Sequence, residues 1–226
     1  MRVAILQPGY LPWLGYFEQM QVVDQFISLD DVDYTKQDWR NRNRIRTNAP
    51  EGWSWLTVPV VAATARGRID QVRIPPALEW WPKHLRMLDQ HYGQRGAPGY
   101  PQLRDELIAV VDSGLDHLAD LDLALAAVLA GHLDTDTPVV RASSLQIEVA
   151  PGDKNGRLIA LCRATGATAL YDGKSAADFL DLDRFLAAGI EVTFQDFQHP
   201  TYEQCYEGHV TALSALDYIC CKGDVG

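Results

Sequence analysis

Gln7-Pro8-Gly9-Tyr10-Leu11-Pro12-Trp13-Leu14-Gly15-Tyr16-Phe17 is the stretch on which the reading of this chain turns. It leaves a continuous apolar run at residues 3–6, bends through two prolines and a glycine, and enters residues 13–23, where Trp13, Phe17 and Met20 recur at helical spacing. An unbroken apolar run of that length suits a strand covered on both faces. Phe26-Ile27-Ser28-Leu29 then reads as a second strand ending in Asp30-Asp31. A strand-loop-helix-strand unit predicts parallel pairing, a right-handed crossover and a ligand site beyond the carboxyl ends of the strands. Gln7, Tyr10, Gly15, Tyr16, Asp30 and Asp31 fall at that edge. A packed turn whose tyrosine hydroxyls are satisfied locally is the plainer alternative for the first four.

Residues 34–46, Tyr-Thr-Lys-Gln-Asp-Trp-Arg-Asn-Arg-Asn-Arg-Ile-Arg, hold five of the chain's 20 Lys and Arg residues against a single Asp, in a protein of net charge −10. In an extended segment Arg42, Arg44 and Arg46 face one side and Asn41, Asn43 and Ile45 the other. Lys36, Arg40, Asn41, Arg42, Asn43 and Arg44 are therefore candidate ligands for a phosphate or carboxylate, whose shape the guanidinium fork matches. A solvated, salt-bridged face is the usual fate of such a run and stays open.

Further along, residues 53–60 and 69–74 read as two strands, arranged as a hairpin, and residues 79–92, 103–111 and 115–133 as helices, the last with Leu118, Leu121, Leu125, Val128 and Leu129 as its buried stripe. Residues 145–149 read as a strand. Residues 155–165 and 176–188 read as helices stopped by Gly166 and Gly189, each followed by a strand, at 168–171 and 190–194. This β/α alternation predicts a mainly parallel sheet.

Composition narrows the class. With 47% hydrophobic residues in 226, the chain can bury a sizeable core. The acidic balance argues against a nucleic-acid duplex or an anionic membrane as partner. No run is apolar for long enough to cross a bilayer, and Pro8, Gly9 and Pro12 interrupt any signal-peptide core, so a cytoplasmic location is expected. Cys162, Cys205, Cys220 and Cys221 include no Cys-x-x-Cys pair, which makes reduced, buried thiols the default.

Several residues carry chemistry of lower specificity. His199, among Gln195, Asp196 and Tyr202, is the best general-base candidate, with a turn histidine before proline as the alternative. His209 with Cys205 is a weaker Cys/His pair. Ser143-Ser144 and Lys154-x-x-Arg157 suit either phosphate at a helix start or a cap and a solvent face. Asp31-Val32-Asp33 resembles the Asp-x-Asp that holds a divalent metal in many glycosyltransferases, and pairing with the nearby arginines is the alternative.

Gln7-Pro8-x-Tyr10-Leu11-Pro12-Trp13-x-Gly15-Tyr16-Phe17, Asp30-Asp31, Trp39-x-Asn41-Arg42-Asn43 and the late His199-Pro200-x-Tyr202-x-Gln204 together resemble the WbqC-like protein family over essentially the whole chain. The resemblance implies a place in bacterial surface-polysaccharide (O-antigen) or antibiotic biosynthesis, and a glycine-transferase role has been suggested for some members. Two segments depart from the family pattern: Tyr171-Asp172-Gly173-Lys174, where a Ser-Gly pair is usual, and Cys205-Tyr206-Glu207-Gly208-His209, where apolar residues are usual. A more distant likeness is to the nucleotidyltransferase superfamily, which includes pantothenate synthetase. There a His-x-Gly-His motif grips nucleotide phosphates, whereas Trp13-Leu14-Gly15-Tyr16 keeps only the glycine.

The expectation is thus an α/β fold, Rossmann-like, with a mainly parallel sheet flanked by helices and a helical lobe at residues 80–133, all in one domain over residues 1–226. The expected activity is transfer of an acyl or aminoacyl group, glycyl in particular, to the amine of a sugar or antibiotic precursor. His199 would be the base and Tyr10 and Tyr16 its catalytic companions. Gln7, Gly15, Asp30, Asp31, Lys36, Arg40, Asn41, Arg42, Asn43, Arg44, Ser143, Ser144, Tyr202 and Gln204 would bind a small molecule carrying an anionic group. Nucleotidyl or adenylyl transfer, ATP-dependent ligation and non-catalytic binding are the alternatives. The cofactor is unknown, with none, ATP or a divalent metal at Asp31 and Asp33 all open, and so is a homodimer.

Overall fold

The computed structural model describes residues 1–222. The chain divides into two compact units, the first made of Met1–Gln7, Glu18–Asp31 and Asp136–Gln198, the second of Pro8–Phe17, Val32–Thr135 and the segment from His199 onward.

The first unit is an α/β sheet structure of Rossmann-like type. Strands β1 (Arg2–Leu6), β2 (Gln25–Ser28), β5 (Val139–Arg141), β6 (Ala169–Asp172) and β7 (Glu191–Phe194) form one sheet in the spatial order β5-β2-β1-β6-β7, and every pairing is parallel. Numbered along the chain within this sheet, the order is 3-2-1-4-5, the arrangement of doubly wound folds. Val3 and Ala4 have no exposed surface, as the unbroken apolar run predicts for a central strand. Helices α5 (Lys154–Thr165) and α6 (Leu182–Ala187) supply Leu158, Ile159, Leu161, Cys162 and Phe185 to a core shared with Val3, Ile5, Ile27 and Leu170. Gly166 ends α5 in the left-handed region at φ 73°, where glycine avoids the Cβ penalty.

The second unit contains an antiparallel pair, β3 (Arg42–Arg46) with β4 (Trp53–Thr57), in register Arg42↔Thr57 to Arg46↔Trp53. It also contains the helices α2 (Trp81–Leu88), α3 (Tyr100–Asp112), α4 (Leu118–Gly131) and α7 (Ala215–Lys222), so the middle of the chain is helical as expected. Pro82 and Pro101 sit in first turns, where a missing N–H costs nothing. Leu118, Leu121, Leu125 and Leu129 are buried along α4. Helix α1 (Leu14–Gln21) follows the opening loop, and the division between the units falls within it.

Three expected elements differ. Residues 69–74 do not form a strand or pair with 53–60. Ile69–Gln71 is a 3-10 turn in which the Val72 N–H returns to the Ile69 carbonyl, and β4 pairs with the arginine strand β3 instead. Residues 145–149 lie outside the sheet, and the strand β5 comes earlier. Leu145 and Ile147 are half-buried against the core, so their alternation reports a covered face without a ladder. The helix expected at 176–188 is a 3-10 segment, Lys174–Asp178, and then α6, because the Asp181 side chain accepts from the Arg184 N–H and starts a new helix.

Candidate functional site

In the 3-2-1-4-5 sheet the connections leave β1 and β6 in opposite directions, which opens a crevice at their carboxyl ends. Gln7 follows β1 there, and Asp172 and Gly173 close β6. Burial raises the Asp172 carboxyl to about 6, although the Gly173 N–H at 2.7 Å opposes the shift. Glu18 accepts from the Tyr171 hydroxyl at 2.8 Å and from Gln195 Nε2 at 2.6 Å, and Gln195 Oε1 accepts from Gln19 at 3.0 Å. Asp172 thus keeps its proton to a higher pH than an ordinary carboxyl, at the end of the strand whose Tyr171 bonds Glu18.

On the β2 side of the same edge, Asp30 has no exposed surface and is fully engaged. It accepts from Arg141 Nε at 2.5 Å, from the Ser143 N–H at 2.9 Å and from the Ser143 hydroxyl at 2.8 Å. Asp31 is paired with Arg157, and the Ser144 hydroxyl donates to the Arg141 carbonyl at 2.7 Å. The start of α5 is likewise filled: Asp153 accepts from the Gly156 N–H at 2.9 Å and holds Arg184 at 2.8 and 2.9 Å. Asp30, Asp31, Ser143 and Ser144 therefore already have protein partners in the first unit.

In the second unit the arginine run stands on tryptophan. The Arg42 guanidinium lies 4.2 Å above the Trp55 ring, and that of Arg44 lies 5.0 Å from Trp53 and 5.3 Å from Trp39. Trp39 and Trp53 each contact Trp55, with centroids 5.3 and 5.4 Å apart, and Trp39 is 43% exposed, which leaves one indole of this wall open to a ligand. Arg44 also donates to the Ala212 carbonyl at 2.9 Å, while the Nε atoms of Arg42 and Arg44 are buried with no hydrogen-bond partner. Burial lowers the affinity of Arg44 for its proton. Lys36 is exposed, and Arg40 is paired with Asp38 at 3.4 Å.

The asparagines of the run turn inward. Asn41 donates to the Val58 carbonyl and Asn43 to the Leu11 carbonyl, both at 2.8 Å. Leu11 has φ 45°, a conformation that costs a non-glycine residue energy, and Asn43 ties it in place. Arg46 is buried and bonds three backbone carbonyls, those of Thr47, Gly52 and Glu207, so it belongs to the frame rather than the face.

His199 stacks on Trp13 with centroids 5.3 Å apart. Its pKa lies below the usual 6.5, first because burial penalises the imidazolium and then because His209 and Arg44 are positive neighbours. The imidazole is thus biased toward its neutral form on the Trp13 ring, with Arg44 near enough to act on its charge. Tyr202 and Gln204 stand apart from this face in their bonding. Both donate to Asp217 on α7, at 2.7 and 3.1 Å, and Tyr92 donates to the same carboxylate at 2.8 Å.

Tyr10 and Tyr16 are buried. The Tyr10 hydroxyl is 2.9 Å from His84 Nδ1, and His84 Nε2 is 3.1 Å from the Thr57 carbonyl. Burial lowers His84 to about 4, so its neutral ring donates through Nε2 and accepts the Tyr10 proton at Nδ1. Both phenols are pushed above the usual 10, first by burial and then by Asp122. Gly15 is covered: a Cβ there would lie 2.2 Å from the Trp13 ring. Asp122 is fully buried on α4, neither carboxyl oxygen has a hydrogen-bond partner, and burial raises its pKa well above the carboxylate range.

Among the described residues no three His, Cys, Asp or Glu side chains are grouped to hold a metal ion. Asp33, the other half of the Asp-x-Asp pattern, is exposed. Sequence reasoning overlooked Asp172, His84, Asp217 and Asp122. The last left a signal, an acid at a core position between Leu118 and Leu125 with helical spacing.

The sheet order and its polar carboxyl edge define a Rossmann-like α/β protein with a second unit built on an arginine-tryptophan hairpin. Comparison with known proteins is more specific: the WbqC-like protein family matches residues 7–225, and the chain belongs to that family. It is 36% identical over 224 residues to the uncharacterized protein Rv1507c of Mycobacterium tuberculosis (strain ATCC 25618 / H37Rv), covering 96% of this chain and 92% of that one. No solved structure matches. Among the described residues no helix is long and apolar enough to cross a membrane.

Proposed function

We propose that the chain is a biosynthetic transferase that moves an acyl or aminoacyl group, glycyl in particular, onto the amine of a sugar or antibiotic precursor bearing an anionic group. The observation that carries this reading is the stacking of His199 on Trp13 with the Arg44 guanidinium near enough to act on its charge. Arg44 and Arg42 would receive the phosphate or carboxylate, and the exposed Trp39 would cover a ring or sugar face. His199, neutral at pH 7, would take the proton that the amine sheds as its nitrogen bonds the acyl carbon, and return it to the leaving group. The resemblance to proteins of polysaccharide and antibiotic clusters supplies the substrate class.

The test is mass spectrometry of acyl donor and amine acceptor mixtures with and without the chain. Turnover should appear with the chain, His199→Ala should lower kcat, and Arg44→Ala should raise KM. Wild-type kinetics in both variants would place the chemistry elsewhere, and tight binding without product would make the chain a carrier.

Nucleotidyl transfer is the second reading, favoured by the 3-2-1-4-5 sheet. Against it, the Trp13 ring lies on Gly15 in the first turn of α1, where a phosphate would dock. Pyrophosphate release from ATP would decide for it.

A further inference from the structure

Cys205 and Cys221 are sixteen positions apart, and their sulfurs are 3.7 Å from each other. Cys205 lies in the segment after His199, Cys221 in the last turn of α7, and neither is fully buried. One carboxylate holds these segments together: Tyr202 and Gln204 both donate to Asp217 on α7, at 2.7 and 3.1 Å. The sulfur contact is therefore built by the surrounding hydrogen bonds. Closing it to a disulfide needs the sulfurs to approach by about 1.7 Å, a shift within the reach of χ1 rotation.

We infer that Cys205 and Cys221 are a dithiol modification site, closed to an intramolecular disulfide by low-molecular-weight disulfides. The surroundings divide the roles. Cys205 loses its proton more readily than an ordinary thiol, chiefly because Cys221 bonds its sulfur; burial and the Asp217 carboxylate oppose this, and Arg95 and Arg46 help it. Cys221 and the buried Cys220 are pushed the other way. The guanidiniums of Arg95 and Arg46 lie 4.2 and 5.5 Å from the ring of Tyr206, the residue next to Cys205, which keeps positive charge beside the attacking thiolate.

The steps balance. The Cys205 thiolate attacks one sulfur of RSSR, forming a mixed disulfide and releasing RS⁻. Cys221 then gives up its proton and attacks the Cys205 sulfur, expelling the second RS⁻. Two protein thiols are oxidised, one RSSR is reduced to two thiols, and the two protons end on the RS⁻ leaving groups. The product closes a loop running from Cys205 to Cys221 and fixes the segment that follows His199 to α7. Cys162 and Cys220, with no exposed surface, stay out of the exchange.

The experiment treats the full chain with oxidised glutathione, quenches with acid, alkylates, and maps peptides without reduction. The expected product is two hydrogens lighter, carries no glutathione, and yields a Cys205–Cys221 cross-linked peptide. Cys221→Ser should stop at one glutathione on Cys205, and Cys205→Ser should react at least about tenfold more slowly. Four free thiols, separate adducts without a cross-link, or a cross-link through Cys220 would each overturn the inference. Glutathione trapped on Cys221 in Cys205→Ser at the wild-type rate would overturn the assignment of the attacking thiol.

Discussion

The Trp13 indole lies so close over Gly15 that a Cβ at position 15 would stand 2.2 Å from its ring. The same indole carries His199 on it at 5.3 Å between centroids. The opening motif therefore works through packing: the small residue lets the ring settle, and the ring seats the imidazole.

Gly15→Ala should push Trp13 out of this position. Overpacking of this kind costs about 1–3 kcal/mol, read as a lower midpoint in urea with an unchanged slope. Because His199 rests on the displaced ring, kcat should fall together with stability. A variant with wild-type midpoint and wild-type tryptophan fluorescence would contradict the contact.

Asp30 offers a second test, since it is an internal anchor at the sheet edge. Removing its carboxylate leaves the Ser143 N–H and hydroxyl without their acceptor and takes one ion pair from Arg141. Asp30→Ala should cost about 2–3 kcal/mol and Ser143→Ala about 1–2 kcal/mol in denaturant titrations. If Asp30→Ala were as stable as wild type but failed to bind substrate, Asp30 would be a ligand group instead.

The pH profile of turnover follows from His199. Its pKa is below 6.5 because of burial, His209 and Arg44, so the acid limb that His199 contributes to kcat/KM should lie below that value. Arg44→Ala removes one positive neighbour, which favours the imidazolium and moves the limb to higher pH, besides raising KM. An acid limb that stayed in place in Arg44→Ala would uncouple the two residues.

What could be read in advance was what local pattern dictates. Residues 3–6, the helical spacing after Trp13, and the stops at Gly166 and Gly189 specify the parallel sheet and its helices, because burial on two faces and a left-handed cap leave a direct mark on sequence. Pairing partners leave none. Residues 53–57 have the composition of a hairpin strand, but only the tertiary fold chooses Arg42–Arg46 over residues 69–74 as the mate. Likewise residues 145–149 alternate like a strand while packing without a ladder. For the site, charge and interleaved asparagine marked the arginine run, whereas the tryptophans beneath Arg42 and Arg44 follow from strand register. Gln7 and Asp172 fall at one switch point through strand order, which no short window of sequence contains.

His84 should make the fold sensitive to acid. Its folded pKa of about 4 lies below the unfolded value of 6.5, so the unfolded chain binds the extra proton between them and stability falls as pH drops through that window. The loss approaches about 3 kcal/mol at its lower end. His84→Gln should be less stable at neutral pH, through the bonds lost to Tyr10 and Thr57, and should lack this acid-side slope.

Asp122 works in the opposite sense, and the two must be separated to be seen. Its folded pKa is raised by burial, so above the ordinary carboxyl value the folded chain keeps a proton that the unfolded chain has released. Stability therefore falls as pH rises, by at most about 1.4 kcal/mol per pH unit, until the folded pKa is reached. Between about 4 and 6.5 the rise from His84 and the fall from Asp122 oppose one another, so each is read from the difference between a variant and wild type. Asp122→Asn removes this contribution: the excess of its midpoint over wild type should grow as pH rises above the ordinary carboxyl value and be largest at the alkaline end. The double variant with His84→Gln should differ from Asp122→Asn by the acid-side slope of His84 alone. Urea midpoints of the four proteins at a series of pH values measure this directly, and an Asp122→Asn curve parallel to wild type would mean that the carboxyl is ionised in the folded chain.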